Sequence, residues 1–206
     1  VFINRTGVGI EPASFTNTDF SMQSGSAPIS VISQDFNGDG KPDLASGDYN
    51  NKAVSVFVNT TTPGSTTPTY SAAQNFSTGA GSPPALASGD FNLDGKYDLA
   101  VINAEPGGGY IAVFLNTTSP GASSVSFSSR TDFPMANGPR VVEVGDINGD
   151  GKPDLIATNG LDNSAAVFLN TTTPGASLPS FSSRTDFSTG NEPQEICLAD
   201  FNGDGK

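Results

Sequence analysis

Asp35, Asn37, Asp39, Lys41 and Asp43 occupy positions 1, 3, 5, 7 and 9 of the segment Asp-Phe-Asn-Gly-Asp-Gly-Lys-Pro-Asp. In a tightly wound loop, alternate positions project inward. Positions 1, 3, 5 and 9 then offer side-chain oxygens. Position 7 offers only its main-chain carbonyl, so a lysine there is no obstacle. Calcium takes roughly six to eight oxygen ligands, and a glycine at position 6, here Gly40, permits the sharp turn of such a loop. No glutamate follows at position 12, and Leu44 opens an apolar stretch, so the flanking helix of an EF-hand is not expected. Three carboxylates within a few Å of one another repel, and without a cation at least one of them would have to be protonated. Magnesium demands a smaller octahedral cage and keeps its waters, so calcium is the expected ion. Its expected role is structural, tying the strand before the loop to the strand after it.

The same loop recurs with Asp90, Asn92, Asp94, Lys96 and Asp98, and again with Asp146, Asn148, Asp150, Lys152 and Asp154. A fourth copy supplies Asp200, Asn202 and Asp204, with Lys206 at position 7 and no position 9, so weak or no binding is expected there. Leu93 stands at position 4, where the other loops have glycine; it is not a ligand, and little effect is expected. A single Asp/Asn/Gly-rich segment could be an ordinary surface turn. Four in phase, with aspartate at every position 1 and 5, argue against that.

The loops begin at Asp35, Asp90, Asp146 and Asp200, steps of 55, 56 and 54 residues. A second marker keeps phase: Val-Phe-Ile-Asn from Val1, Val-Phe-Val-Asn from Val56, and Val-Phe-Leu-Asn from Val113 and Val167. A third is an aromatic pair: Phe15 with Phe20, Tyr70 with Phe76, Phe127 with Phe133, Phe181 with Phe187. Such a period is the signature of a repeat architecture. Each period reads as four short apolar segments bounded by Gly, Pro, Asn or Ser, the pattern of strands. In the second period these are residues 85–89, 98–102, 111–116 and a stretch around 127–133. Between the third and fourth lies a polar connector such as Thr60-Thr61-Thr62-Pro63-Gly64, whose Pro-Gly predicts a turn. Four strands in about 55 residues make one blade of an all-β propeller of antiparallel sheets. An open solenoid of sheets is the rival arrangement.

The blades are expected at residues 28–76, 83–133 and 139–187. Residues 1–20 would supply the outer half of an earlier blade, and residues 193–206 the inner strand of a later one. The chain therefore reads as a truncated arc of a larger ring, with a four-bladed ring closed by its two ends as the alternative.

These loops and their spacing resemble the FG-GAP/VCBS repeats, the blades of integrin alpha-chain propellers and of many secreted bacterial proteins. The Val-Phe-Leu-Asn segment with its Thr-Thr and Pro-Gly connector is more similar to the bacterial versions. The signatures that name the family are met loosely, in Asp19-Phe20 and Ser26-Ala27-Pro28. The resemblance implies a seven-bladed type of ring with calcium loops between the first and second strands, held by the positions named above.

Composition sets limits on function. The formal charge of −12 excludes nucleic acid and anionic lipid as natural partners. No stretch approaches the roughly 18 apolar residues of a membrane span. There is no histidine, which removes the commonest general base and makes zinc improbable. Cys197 is the only cysteine, so an internal disulfide is impossible, and it is expected as a small packed residue. Paired carboxylates can perform glycoside hydrolysis, but here they are packed into cation loops. Asn4, Asn59, Asn75, Asn116 and Asn170 begin Asn-x-Ser/Thr sequons; all but Asn75 share one repeat position, where Asn and Thr suit a strand end. Arg130 and Arg184 are expected as solvated strand charges. The expectation is a non-enzymatic, calcium-binding propeller of an extracellular or cell-surface protein, serving adhesion or recognition of a protein ligand. One alternative is a lectin-like propeller binding carbohydrate, with Tyr49, Tyr110 or the arginines as contacts. Another is an accessory domain of a larger secreted enzyme.

Overall fold

A computed structural model describes residues 2–4, 15–17 and 19–200 of the chain. Its regular structure is all strand. β1 (Phe2–Asn4) pairs with β2 (Phe15–Asn17) in a small antiparallel ribbon. Three four-stranded antiparallel sheets follow, each a simple meander. The first contains β3 (Pro28–Gln34), β4 (Asp43–Asp48), β5 (Ala53–Phe57) and β6 (Gln74–Ser77). The second contains β7 (Leu86–Gly89), β8 (Asp98–Glu105), β9 (Gly108–Phe114) and β10 (Thr131–Pro134). The third contains β11 (Pro139–Gly145), β12 (Asp154–Asn159), β13 (Ser164–Phe168) and β14 (Thr185–Ser188). Each sheet is one repeat, and the three are propeller blades.

Period-2 alternation explains why the blades stack. In β8, Leu99 and Val101 pack toward the first blade while Ala100 and Ile102 pack toward the third. In β9, Ala112 and Phe114 face the first blade, and Ile111 and Val113 face the third. Successive side chains of a strand point to opposite faces, so a segment apolar at every residue must be covered on both sides. The apolar core therefore lies between blades.

The aromatic markers belong to this interblade core. Residues that are near neighbours along the chain do not pair with each other. Phe76 of the first blade meets Phe127 of the second edge-to-face at 5.0 Å, and Phe133 of the second meets Phe181 of the third at 4.9 Å. Phe20 meets Tyr70 in the same way at 4.8 Å.

The third strands end earlier than the sequence pattern suggests. The amides of Val58, Leu115 and Leu169 bond to the hydroxyls of Ser71, Ser128 and Ser182 in place of ladder carbonyls. Asn59, Asn116 and Asn170 then rejoin the connector only through isolated bridges to Tyr70, Phe127 and Phe181. The fourth strands consequently start several residues after the first aromatic.

Residues 193–200, expected as an inner strand, pair with no strand among the described residues. Leu198 nevertheless lies over Gly145 as Val144 lies over Gly89 in the previous repeat, so the segment follows the blade path without a ladder. Cys197 departs from its expected packing: it is exposed, and no strand among the described residues pairs with its segment.

Candidate metal centre

The first loop runs from the end of β3 to the first residue of β4. Asp35 curls it around its own carboxylate. Asp35 Oδ1 accepts from the amides of Gly38 (2.7 Å) and Asp39 (3.2 Å), and Oδ2 accepts from Gly40 (2.8 Å). Asn37 Oδ1 accepts from Asp39 N (3.2 Å), and Asp39 Oδ1 from Lys41 N (2.9 Å). Asp43 is fully buried, with Oδ2 on the Phe36 amide (2.9 Å) and Oδ1 on the Asn59 amide (2.7 Å). The other two complete loops repeat this plan. Asp98 accepts from Phe91 and Asn116, and Asp154 from Ile147 and Asn170. Asp90 and Asp146 hold their loop amides as Asp35 does.

The position-7 lysines extend beyond the carbonyl role expected of them. Lys41 Nζ lies 3.3 Å from Asp39 Oδ2, and Lys96 Nζ lies 3.9 Å from Asp94 Oδ2. Lys152 donates instead to the Thr172 carbonyl, 3.0 Å away. In the fourth copy only Asp200 is described; Asn202, Asp204 and Lys206 lie outside the described residues.

Electrostatics follow burial. Desolvation pushes the Asp43 carboxyl above its ordinary value, the charges of Asp35 and Asp39 push the same way, and the Asn59 and Phe36 amides pull back. Asp98 is pushed up to about 7 by burial, opposed by the Asn116 and Phe91 amides and reinforced by Asp94 and Asp90. Burial also raises Asp39, but its bonds to Lys41 and Asn37 outweigh this and leave it lowered.

Do these residues fit a cation? Among the described residues no three His, Cys, Asp or Glu side chains converge as a finished cage. The carboxylates sit on their own loop amides. The donor set is all hard oxygen, however, and each carboxylate retains further lone pairs after its amide bonds. In the second loop, the oxygen of the position-3 residue, Asn92 Oδ1, is buried with no hydrogen-bond partner. Buried polar atoms are rarely left so. An unpartnered oxygen at a ligand position is what a cation loop requires, so the residues fit.

Leu93 is the backbone anomaly of that loop. Its φ is +54°, in the left-handed region that Gly38 (+69°) and Gly149 (+77°) occupy in the other loops. The turn imposes this conformation, and a Cβ there costs about 1 kcal/mol. Leu93 was expected to matter little because it is not a ligand; its cost lies in the main chain. Leu93→Gly is expected to stabilise the chain by about 1 kcal/mol, read as a rise of roughly 2–4 °C in the unfolding temperature.

Other candidates fall into structural roles. Asn116, 2% exposed, donates through Nδ2 to the Phe36 carbonyl of the preceding loop and the Tyr97 carbonyl of its own. Asn170 does the same with Phe91 and Pro153. These sequon asparagines join neighbouring loops, a role visible in the sequence only as recurrence at one repeat position. Arg130 pairs with Asp132 at 3.2 Å and lies over the Tyr110 ring; Arg184 pairs with Asp186 at 3.0 Å. Tyr110 donates its hydroxyl to the Thr78 carbonyl across the first interblade seam. Tyr49 is exposed.

The sequence pattern of the FG-GAP-like repeat matches residues 35–101, 90–157 and 146–206, each match running from one acidic loop through the next. The chain belongs to the FG-GAP-like repeat family. Together the matches span residues 35–206, leaving β3 of the first blade outside, and each FG-GAP match begins at position 1 of a loop. No curated protein matches the chain.

Proposed function

We propose that this chain is a calcium-binding, non-enzymatic propeller module of a secreted or cell-surface protein, serving as a scaffold for adhesion or recognition. The observation that carries the metal reading is Asn92 Oδ1, buried and unpartnered at a ligand position in a loop whose other inward groups are all oxygens. When bound, calcium supplies positive charge beside Asp90 and Asp98, which form no ion pair among the described residues, and adds to that of Lys96 at Asp94. The chain's own contribution is orientation: the amide cradles hold the carboxylates of positions 1 and 9, and the lysines of loops one and two screen position 5. Exposed loops of this kind suit the calcium-rich space outside cells, where modules bind with constants of roughly 0.1–1 mM. A cleft between the first two loops, where the charged Asp35, Asp94 and Lys96 stand beside the apolar Phe36 and Pro120, offers a mixed surface for a protein or carbohydrate ligand.

Thermal unfolding in calcium and in chelator tests the metal reading, since a ligand that binds only the native state stabilises it by mass action. Saturating calcium is expected to raise the unfolding temperature by more than about 5 °C. Titration calorimetry should count three ions, one for each complete loop. An unchanged melting curve would sink the proposal.

A further inference from the structure

We propose that Asn37 and Asn92 are two-ended interblade clamps, whose side-chain oxygen serves the loop cation while the side-chain nitrogen holds the next blade. The inference rests on the calcium reading above and concerns what these two residues do with the ion.

Asn37 Nδ2 donates to the carbonyl of Ala122, 85 residues further along the chain, at 2.9 Å. Asn92 Nδ2 donates to the carbonyl of Ala176, 84 residues along, at 3.0 Å. A main-chain bond runs beside each: Gly121 N to Asn37 O and Gly175 N to Asn92 O, both 2.6 Å. The acceptors lie in the Pro-Gly connectors that the sequence suggests are plain turns. Pro120 reaches the loop itself, with its Cα 3.7 Å from where a Cβ on Gly38 would sit. Both asparagines are buried by this docking, 3% and 5% exposed.

A carbonyl can only accept, so the amide atom facing the neighbouring blade must be nitrogen. The oxygen is thereby turned toward the loop, at the ligand position. Aspartate would give the cation a charged ligand but could not donate to Ala122 or Ala176, and would set a carboxylate against a carbonyl. In the first two loops asparagine at position 3 thus meets both demands, and the neighbouring blade is served by its nitrogen. Asn148 provides an internal control. It is exposed, no connector docks on it among the described residues, and its Nδ2 turns back to Asp150 Oδ2 at 3.2 Å. Because one planar amide makes both contacts, ordering its oxygen orders its nitrogen. Calcium binding in one blade should therefore tighten a connector of the next blade that supplies no ligand.

Amide hydrogen exchange of the full chain reads this directly. Adding calcium is expected to slow exchange at Gly121 and Gly175 by about tenfold, the size of an ordinary coupling between sites. Asn37→Asp should abolish the effect at Gly121 and leave it at Gly175; Asn92→Asp should do the converse; Asn148→Asp should alter neither. The wild-type measurement decides the matter even where a variant folds poorly. If calorimetry shows calcium bound while Gly121 and Gly175 exchange at unchanged rates, the clamp is wrong and the calcium reading stands. Calcium-dependent protection at Gly121 that survives Asn37→Asp also overturns it. If no calcium binds, both readings fall together.

Discussion

Phe91→Ala is expected to cost about 4 kcal/mol of stability, the usual scale for emptying a buried aromatic site. Phe91 is position 2 of the second loop, the residue between two ligand positions, and it is 0% exposed. Its ring packs in the core between the second and third blades, edge-to-face with Phe181 at 5.7 Å. Its amide bonds to Asp98 and its carbonyl to Asn170 of the next blade. The ring therefore fixes the loop main chain at the point where loop and interblade core meet. Removing it leaves a cavity that the backbone cannot readily fill, because that backbone is held at both ends. Urea unfolding should show a lower midpoint with an unchanged slope. The loss should appear equally in calcium and in chelator. Ile147→Ala is the comparison, since Ile147 holds the same position in the third loop but is only half-buried, with no further blade packed on it among the described residues. It should cost less than half as much. Equal losses would mean that the interblade packing is not what Phe91 contributes.

The legibility of this molecule divides along sequence distance. The in-phase acids of the loops, the strand segments and the blade count could be read because each is a local pattern repeated at a fixed step. Asp43, Asp98 and Asp154 fall at the first residue of β4, β8 and β12, where position 9 of the loop was expected to hand over to a strand. What could not be read joins one repeat to the next. Asn116 looks like a glycosylation sequon or a strand end, yet its amide reaches Phe36, 80 residues earlier. Phe127 and Phe133 look like a pair but contact Phe76 and Phe181 instead. Periodicity says that a blade has two apolar faces; it does not say which atoms meet across the seam. The demand on Leu93 is hidden in the sequence for a different reason. Ligand positions are defined by side chains, whereas its φ of +54° is a demand of the main chain.

Asp98→Ala should likewise cost about 4 kcal/mol, from a different cause. The carboxylate is fully buried in the second blade and holds two main-chain donors from separate segments, Phe91 N at 2.8 Å and Asn116 N at 2.7 Å. Alanine leaves both donors buried without an acceptor, at about 2 kcal/mol each. These bonds hold the loop entrance and the end of the third strand against the start of β8, and they do so whether or not a cation is bound. Most of the loss should therefore persist in chelator. Asp94→Ala separates this role from simple ligation. Asp94 is largely a loop-surface carboxylate, accepting from Lys96 N at 3.0 Å and pairing loosely with the Lys96 ammonium. In chelator its removal should be nearly neutral, as for other solvent-screened pairs. In calcium it should remove one ion from the calorimetric count and the stabilisation that ion confers. If Asp98→Ala were as mild as Asp94→Ala in chelator, position 9 would be a ligand only, and the loop's anchoring to the blade would have to come from the neighbouring asparagines and aromatic rings.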